Sequence, residues 1–276
     1  MTNDTLLPPM IARPIVLTNP QNWSIIIQNY RGANMIVSQS IKQLAIRLVV
    51  APCLMLSAAW GPFSFLLSSA PTAPVGSTRW INEEIAKIQS QATNIDQNVL
   101  KLGLYAYVRA RHQGLDTKQL LTIVDYTKSS TERRLWVVDL KKAKVLFNTW
   151  VTHGKNSGKE KASSFSNSPG SLKSSLGVFV TTGAPYVGGN GYSLRLSGLE
   201  HGINDNAYER DIVVHGAWYA SETVAKKLGY LGRSWGCLAV DEKTVHPLIN
   251  TIKDNTLVFV YYPDRQWLSH SNFLVG

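Results

Sequence analysis

A thiol attacks an acyl carbon only as the thiolate. A cysteine used this way needs a base or a cation beside it, amides for the developing oxyanion, and a backbone that leaves room for substrate. One part of this chain offers all of these. Cys237 ends the run Gly232-Arg233-Ser234-Trp235-Gly236-Cys237, and Ile212-Val213-Val214-His215-Gly216 sets a histidine at the end of an apolar run. Cys237 reads as the nucleophile and His215, held rigidly at a strand end, as its base. Gly236 has no side chain to block approach, and the amides of Gly236 and Cys237 could converge on an oxyanion. Ser234 adds a hydrogen-bond donor, and Arg233 adds a fixed positive charge of the kind that lowers a thiol pKa. Taken singly, a buried cysteine in a glycine turn and a histidine capping a strand are more often structural.

The rest of the thiol inventory favours chemistry. The chain has two cysteines, and Cys53 lies in an apolar N-terminal run far in character from Cys237, so a disulfide between them is not expected. A lone thiol in an exported protein is normally avoided unless it reacts. Trp235 would either stack on a sugar, close the site or pack in the core. His153 closes a β run before the polar loop 154–171 and is a candidate to line the cleft, although a lone loop histidine is more often structural or solvated. His112, His201, His246 and His270 show no ligand spacing, so neither a metal site nor a cofactor is expected. Arg195 and Arg210 are candidates for binding substrate carboxylates, with surface ion pairing slightly preferred.

Positioning such a site requires a framework, and the sequence supplies one. From Leu120 onward, short β-rich runs are bounded by turn residues, with strands expected over 121–126, 135–140, 145–152, 177–181, 192–196, 212–215 and 257–261. Lys141-Lys142-Ala143 reads as a hairpin turn. Helices are expected over 221–228, ending at Gly229, and over 241–252, with Asp241 as N-cap; the first can span the offset from His215 to Cys237. Upstream, Ile81, Ile85 and Ile88, then Val99, Leu102 and Ala106, recur at helical spacing and predict two packing helices. The fold class expected is mainly β with short helices, organised as 1–74 (N-terminal extension and signal or anchor), 75–119 (helical region) and 120–276 (catalytic domain).

The composition, 44% hydrophobic and 17% charged, fits a folded globular protein. A net charge of +10 draws the chain to polyanions, but the basic residues fall in isolated pairs and no nucleic-acid groove is expected. No charged residue occurs over 48–78, and Lys42 and Arg47 precede an apolar run over 48–67 that is followed by small residues. This is the grammar of an export signal, either cleaved or kept as a membrane anchor. Residues 1–34 are unusual ahead of such a signal, and Met35 would give an ordinary basic start.

The runs Arg210-Asp211-Ile212-Val213-Val214-His215-Gly216-Ala217 and Gly232-Arg233-Ser234-Trp235-Gly236-Cys237-Leu238-Ala239-Val240 resemble the L,D-transpeptidase (YkuD-like) family, in its murein L,D-transpeptidase catalytic domain branch. Ile123-Val124-Asp125-Tyr126, His153-Gly154-Lys155-Asn156-Ser157-Gly158 and Gly191-Tyr192-Ser193-Leu194 are similar to that branch too, so the resemblance covers roughly 120–262. It implies a β-sandwich-like catalytic domain and a Cys237–His215 pair steadied by the Gly216 carbonyl. It also implies attack on the L-to-D bond of a peptidoglycan stem peptide, with a thioester intermediate and a second stem, a protein or water as acceptor. The family pattern has His where this chain has Trp235, and Arg or Asn where it has Ala239. Those departures bear on substrate preference. The alternatives are an L,D-carboxypeptidase and a non-catalytic peptidoglycan-binding module.

Overall fold

A computed structural model describes residues 72–274. The apolar segment 48–67, Cys53, Met35 and the expected extension 1–34 lie outside the described residues. Among the described residues no helix is long and apolar enough to cross a membrane.

Two helices come first. In α1 (Thr78–Gln89) the Ser77 hydroxyl caps the Trp80 amide, and Ile81, Ile85 and Ile88 are buried at the spacing read from the sequence. In α2 (Gln97–His112) Asp96 accepts from the Asn98 and Val99 amides, while Arg109, Arg111 and His112 meet the negative end of the helix dipole. These helices share one hydrophobic core with the β region that follows.

That region contains β1 (Leu120–Asp125), β2 (Leu135–Asp139), β3 (Lys144–Thr149), β4 (Gly177–Thr181), β5 (Tyr186–Gly188), β6 (Gly191–Gly198), β7 (Val213–Gly216), α3 (Glu222–Leu228), β8 (Leu238–Val240), α4 (Glu242–Ile252), β9 (Leu257–Tyr261) and α5 (Arg265–His270). The strands pair in the order β3-β2-β1-β9-β4-β6-β7-β8, with β5 added to β6. This is the mainly β fold with short helices that the sequence led us to expect. Helix α2 lies over β1 and β9, where Gly103 lets Ile123 and Phe259 come close: a Cβ there would sit 3.3 Å from each. The expected strands are all present, shifted by a residue or a few at their ends. β5, β8 and α5 were not expected. β5 and β8 span three residues each, too few for an apolar alternation to register.

Two features of this sheet serve the site. Strand β6 pairs through residues 193–195 with β7 and through residues 196–198 with β4, so it ties the β7–β8 edge to the central sheet. β7 and β8 are parallel, a pairing that needs a crossover. Helix α3 makes that crossover, capped by the Ser221 hydroxyl at its start and by Gly229 in the left-handed region, φ 74°, at its end.

Gly198, at the β6–β4 join, is a point of close approach: a Cβ there would lie 1.9 Å from the Asn204 carbonyl oxygen. Gly198→Ala should therefore force a backbone shift costing about 1–3 kcal/mol. Thermal denaturation checks this, and an unchanged melting temperature would show that the join yields freely.

Candidate active site

Strand β7 is bonded on both sides. His215 stands opposite Ser193 of β6 and opposite Ala239 of β8. Cys237 directly precedes β8, so extending the register places it opposite Val213, and the Val213 amide acts on its sulfur. Side chains two apart on a strand share a face, so Cys237 and His215 emerge on the same side. Both line a cleft of about 510 Å³, together with Arg210, Tyr219, Arg233 and Trp235.

The two groups are nearly buried, Cys237 at 8% exposure and His215 at 4%. His215 Nδ1 lies 2.9 Å from the Gly216 carbonyl oxygen. A carbonyl can only accept, so Nδ1 carries the proton and Nε2 keeps its lone pair for the cleft. Burial lowers the His215 pKa against the smaller opposing pull of that carbonyl, so the ring is neutral at neutral pH. Burial likewise raises the Cys237 pKa, and its Sγ–H donates to the Asp211 carbonyl at 3.4 Å. The resting pair is thus a neutral thiol and a neutral imidazole of defined tautomer. It is not a preformed ion pair.

Backbone and hydroxyl bonds hold the cysteine turn. Ser234, 4% exposed, donates its hydroxyl to the Cys237 carbonyl at 2.7 Å and accepts from the Gly236 amide at 3.2 Å. Ser234 also lines the cleft, but both of these bonds lie within the turn; of the two amides expected to meet an oxyanion, that of Gly236 is engaged by Ser234 and that of Cys237 is not. Gly236 itself has φ 122°, and a Cβ there would meet the Lys173 carbonyl at 2.7 Å, so both conformation and space require glycine.

Trp235 is 76% exposed at the cleft and therefore has no core role. Arg233 is exposed there as well, with long hydrogen bonds to the Lys155 and Gly158 carbonyls at 3.4 and 3.3 Å. Ala239 is fully buried against Ala217 and Ala220 beneath Tyr219.

His153 does not line the cleft. It is 1% exposed, and Arg134 Nη2 donates to its Nδ1 at 2.8 Å. Burial first, and the Arg134 charge second, push its pKa down to about 4, so the ring stays neutral. Arg134 is itself fully buried, held by the Val151 and Lys128 carbonyls over the ring of Tyr126. His153 serves the site through its backbone. Its carbonyl accepts from the Ser234 amide at 3.0 Å, and Lys155 N bonds Ser234 O at 2.7 Å, bracing the cysteine turn from behind.

The cleft also uses residues that sequence reasoning passed over. Tyr219 follows the His-Gly pair by three positions and packs on Gly232, yet no periodicity or motif marks it. Asn190 enters from the β5–β6 turn. Asp211 adopts φ 52°, unusual for a residue with a side chain, and so turns its carbonyl to the thiol. Its carboxylate pairs with Arg195, the ion pairing expected of that arginine, and the guanidinium lies over the rings of Tyr186 and Tyr208 at 5.3 and 5.2 Å. Arg210 forms no ion pair among the described residues. Among the described residues no group of three His, Cys, Asp or Glu could hold a metal.

A sequence profile for the L,D-transpeptidase catalytic domain matches residues 91–261. Among solved structures, an L,D-transpeptidase from Mycobacterium smegmatis is 14% identical, with a TM-score of 0.32, over 52% of this chain and 59% of that one. L,D-transpeptidase 1 from Mycobacterium tuberculosis is 11% identical, with a TM-score of 0.30, over 52% and 62%. The catalytic domain of an E. faecium L,D-transpeptidase is 16% identical, with a TM-score of 0.29, over 52% and 98%. The chain thus spans about three-fifths of the mycobacterial chains it matches. No curated protein matches it in sequence. The profile covers more than half of the chain, and on that ground this protein belongs to the L,D-transpeptidase catalytic domain family.

Proposed function

We propose that the chain is a cysteine acyltransferase acting on peptidoglycan stem peptides, an L,D-transpeptidase with Cys237 as nucleophile and His215 as general base. The observation that carries this reading is the shared cleft, lined by a buried thiol just before β8 and by a neutral imidazole with a free Nε2 on the neighbouring β7. A neutral pair suits general-base catalysis, in which the imidazole takes the thiol proton and so creates the attacking thiolate at the moment of reaction.

Nε2 takes the thiol proton as Sγ attacks the carbonyl carbon of the L-to-D bond. The oxyanion meets the Cys237 amide, and collapse expels the terminal D-residue, whose amine takes the proton back from His215. An acceptor amine then attacks the thioester, gives up a proton through the same ring and restores the thiol. In this scheme Trp235 and Arg233 at the open rim are the residues placed to meet the donor or acceptor stem. We also propose that the protein works outside the cytoplasm, on the strength of the basic flank and apolar run over 48–67. Protease accessibility of the catalytic region in intact cells tests this, and full protection would contradict it.

The chain incubated with tetrapeptide muropeptides should give cross-linked or exchanged products by mass spectrometry, with none from Cys237→Ala and roughly 10²–10⁴-fold less from His215→Ala. Products that persist in Cys237→Ala would end this proposal; tripeptide without cross-links would identify water as the acceptor. Run against pH, the rate should fall on the acid side only below the ordinary histidine range, because burial lowers the His215 pKa and the base is lost only when the ring protonates. An acid limb above that range would contradict a neutral buried base.

A further inference from the structure

Arg210 sits just before the strand that carries His215, half-buried, with its guanidinium against the cysteine turn. A Cβ on Gly236 would lie 3.4 Å from Arg210 Nη2. Four hydrogen bonds fix the group: Nη1 donates to the Ser166 carbonyl at 2.6 Å and the Ser175 hydroxyl at 2.5 Å, and Nη2 to the Lys173 carbonyl at 2.7 Å and the Ser171 hydroxyl at 3.2 Å. Each acceptor is neutral. A partly buried charge is normally paired with an acid, because desolvating it alone is costly. Here the neutral oxygens satisfy its geometry and leave its charge intact.

Among the other charged groups of the cleft, Asp211 opposes a thiolate at Cys237, and Arg210 acts against it. The Asp211 carboxylate is engaged by Arg195. Arg233 reaches away to the carbonyls of Lys155 and Gly158. His215 is neutral, and burial, the largest influence on Tyr219, raises the pKa of its phenol and keeps it protonated. The anion that remains to face Arg210 is the one the reaction creates.

We propose that Arg210 is the counter-charge of the Cys237 thiolate, a guanidinium fixed by neutral oxygens beside the cysteine turn so that its charge is spent on sulfur when Cys237 gives its proton to His215. This rests on the reading of Cys237 as nucleophile. It explains how so buried a thiol becomes an anion. Burial is the largest influence on Cys237 and, with the Asp211 charge, disfavours the thiolate, whereas the Val213 amide and then the Arg210 charge act in the opposite direction. The converse holds for Arg210, where burial disfavours the cation and Cys237 favours it. The device also accounts for the serine-rich stretch 166–175, whose carbonyls and hydroxyls aim the guanidinium.

The test is the pH dependence of iodoacetamide labelling at Cys237, read by peptide mass spectrometry on the full-length chain, with thermal melts alongside. Arg210→Gln should raise the labelling midpoint by about one pH unit, slowing labelling about tenfold at a fixed pH below it. Arg210→Lys keeps a charge but loses the planar fork, so it should melt earlier yet keep the midpoint within about 0.3 unit. An unmoved midpoint in Arg210→Gln, or equal shifts in the two variants, would overturn the proposal in favour of a loop-holding role. Should Arg210→Gln fail to fold, Arg210→Met takes its place as the uncharged variant: a midpoint raised by about one unit supports the charge, and an unmoved midpoint refutes it. Labelling needs no stem peptide, so failure here is distinguishable from failure of the transpeptidase reading.

Discussion

The parallel ladder between β7 and β8 makes one site out of His215 and Cys237, which are far apart along the chain. Val214 opposite Leu238 and His215 opposite Ala239 set the register, and Cys237, one step before the ladder, inherits its position from it. A one-residue slip would turn the histidine or the thiol to the opposite face, because side chains alternate along a strand. Much of the surrounding structure serves to forbid that slip. β6 bonds the far side of β7, the capped helix α3 closes the crossover, and the backbone of His153 and Lys155 clasps Ser234 just ahead of the cysteine.

Burial sets the chemical character of the pair once the ladder has placed it. It raises the pKa of the thiol and lowers that of the imidazole, so both rest uncharged. Charge separation then has to be favoured at the moment of reaction. In the proposed reaction the Gly216 carbonyl steadies the imidazolium, and Arg210, beside the cysteine turn in the same cleft, is the counter-charge of the thiolate. In the resting state the thiol hydrogen points to the Asp211 carbonyl, which a left-handed backbone presents to it and the Arg195 pair holds. The proposed reaction therefore includes a turn of Sγ away from Asp211 toward Nε2.

The long elements were legible from local pattern. Ile81, Ile85 and Ile88 gave α1, the apolar runs gave seven strands, and Asp241 and Gly229 gave helix ends, each because one physical cause within a few residues decides the outcome. Three-residue strands such as β5 and β8 exist because a partner strand is waiting, and nothing local announces that. The same holds at the site. Cys237, His215 and Gly236 stood out by type and spacing, whereas His153 looked like a loop histidine and is buried against Arg134, a residue 19 positions away that no motif ties to it. Ser234 read as a substrate donor and instead holds its own turn, and the Gly236 amide is occupied by it. Arg210 could be seen in the sequence, but its lack of an acidic partner could not, since that depends on which oxygens the 166–175 segment brings near.

The central claim is that Cys237 carries the acyl group. Brief exposure of the full-length chain to tetrapeptide stems, followed by acid quench and peptide mapping, tests it most directly. The account predicts a tripeptide acyl mass on the peptide containing Cys237, sensitive to hydroxylamine as a thioester should be. An acyl adduct on another residue, or steady turnover with Cys237 found unmodified under every quench, would contradict it.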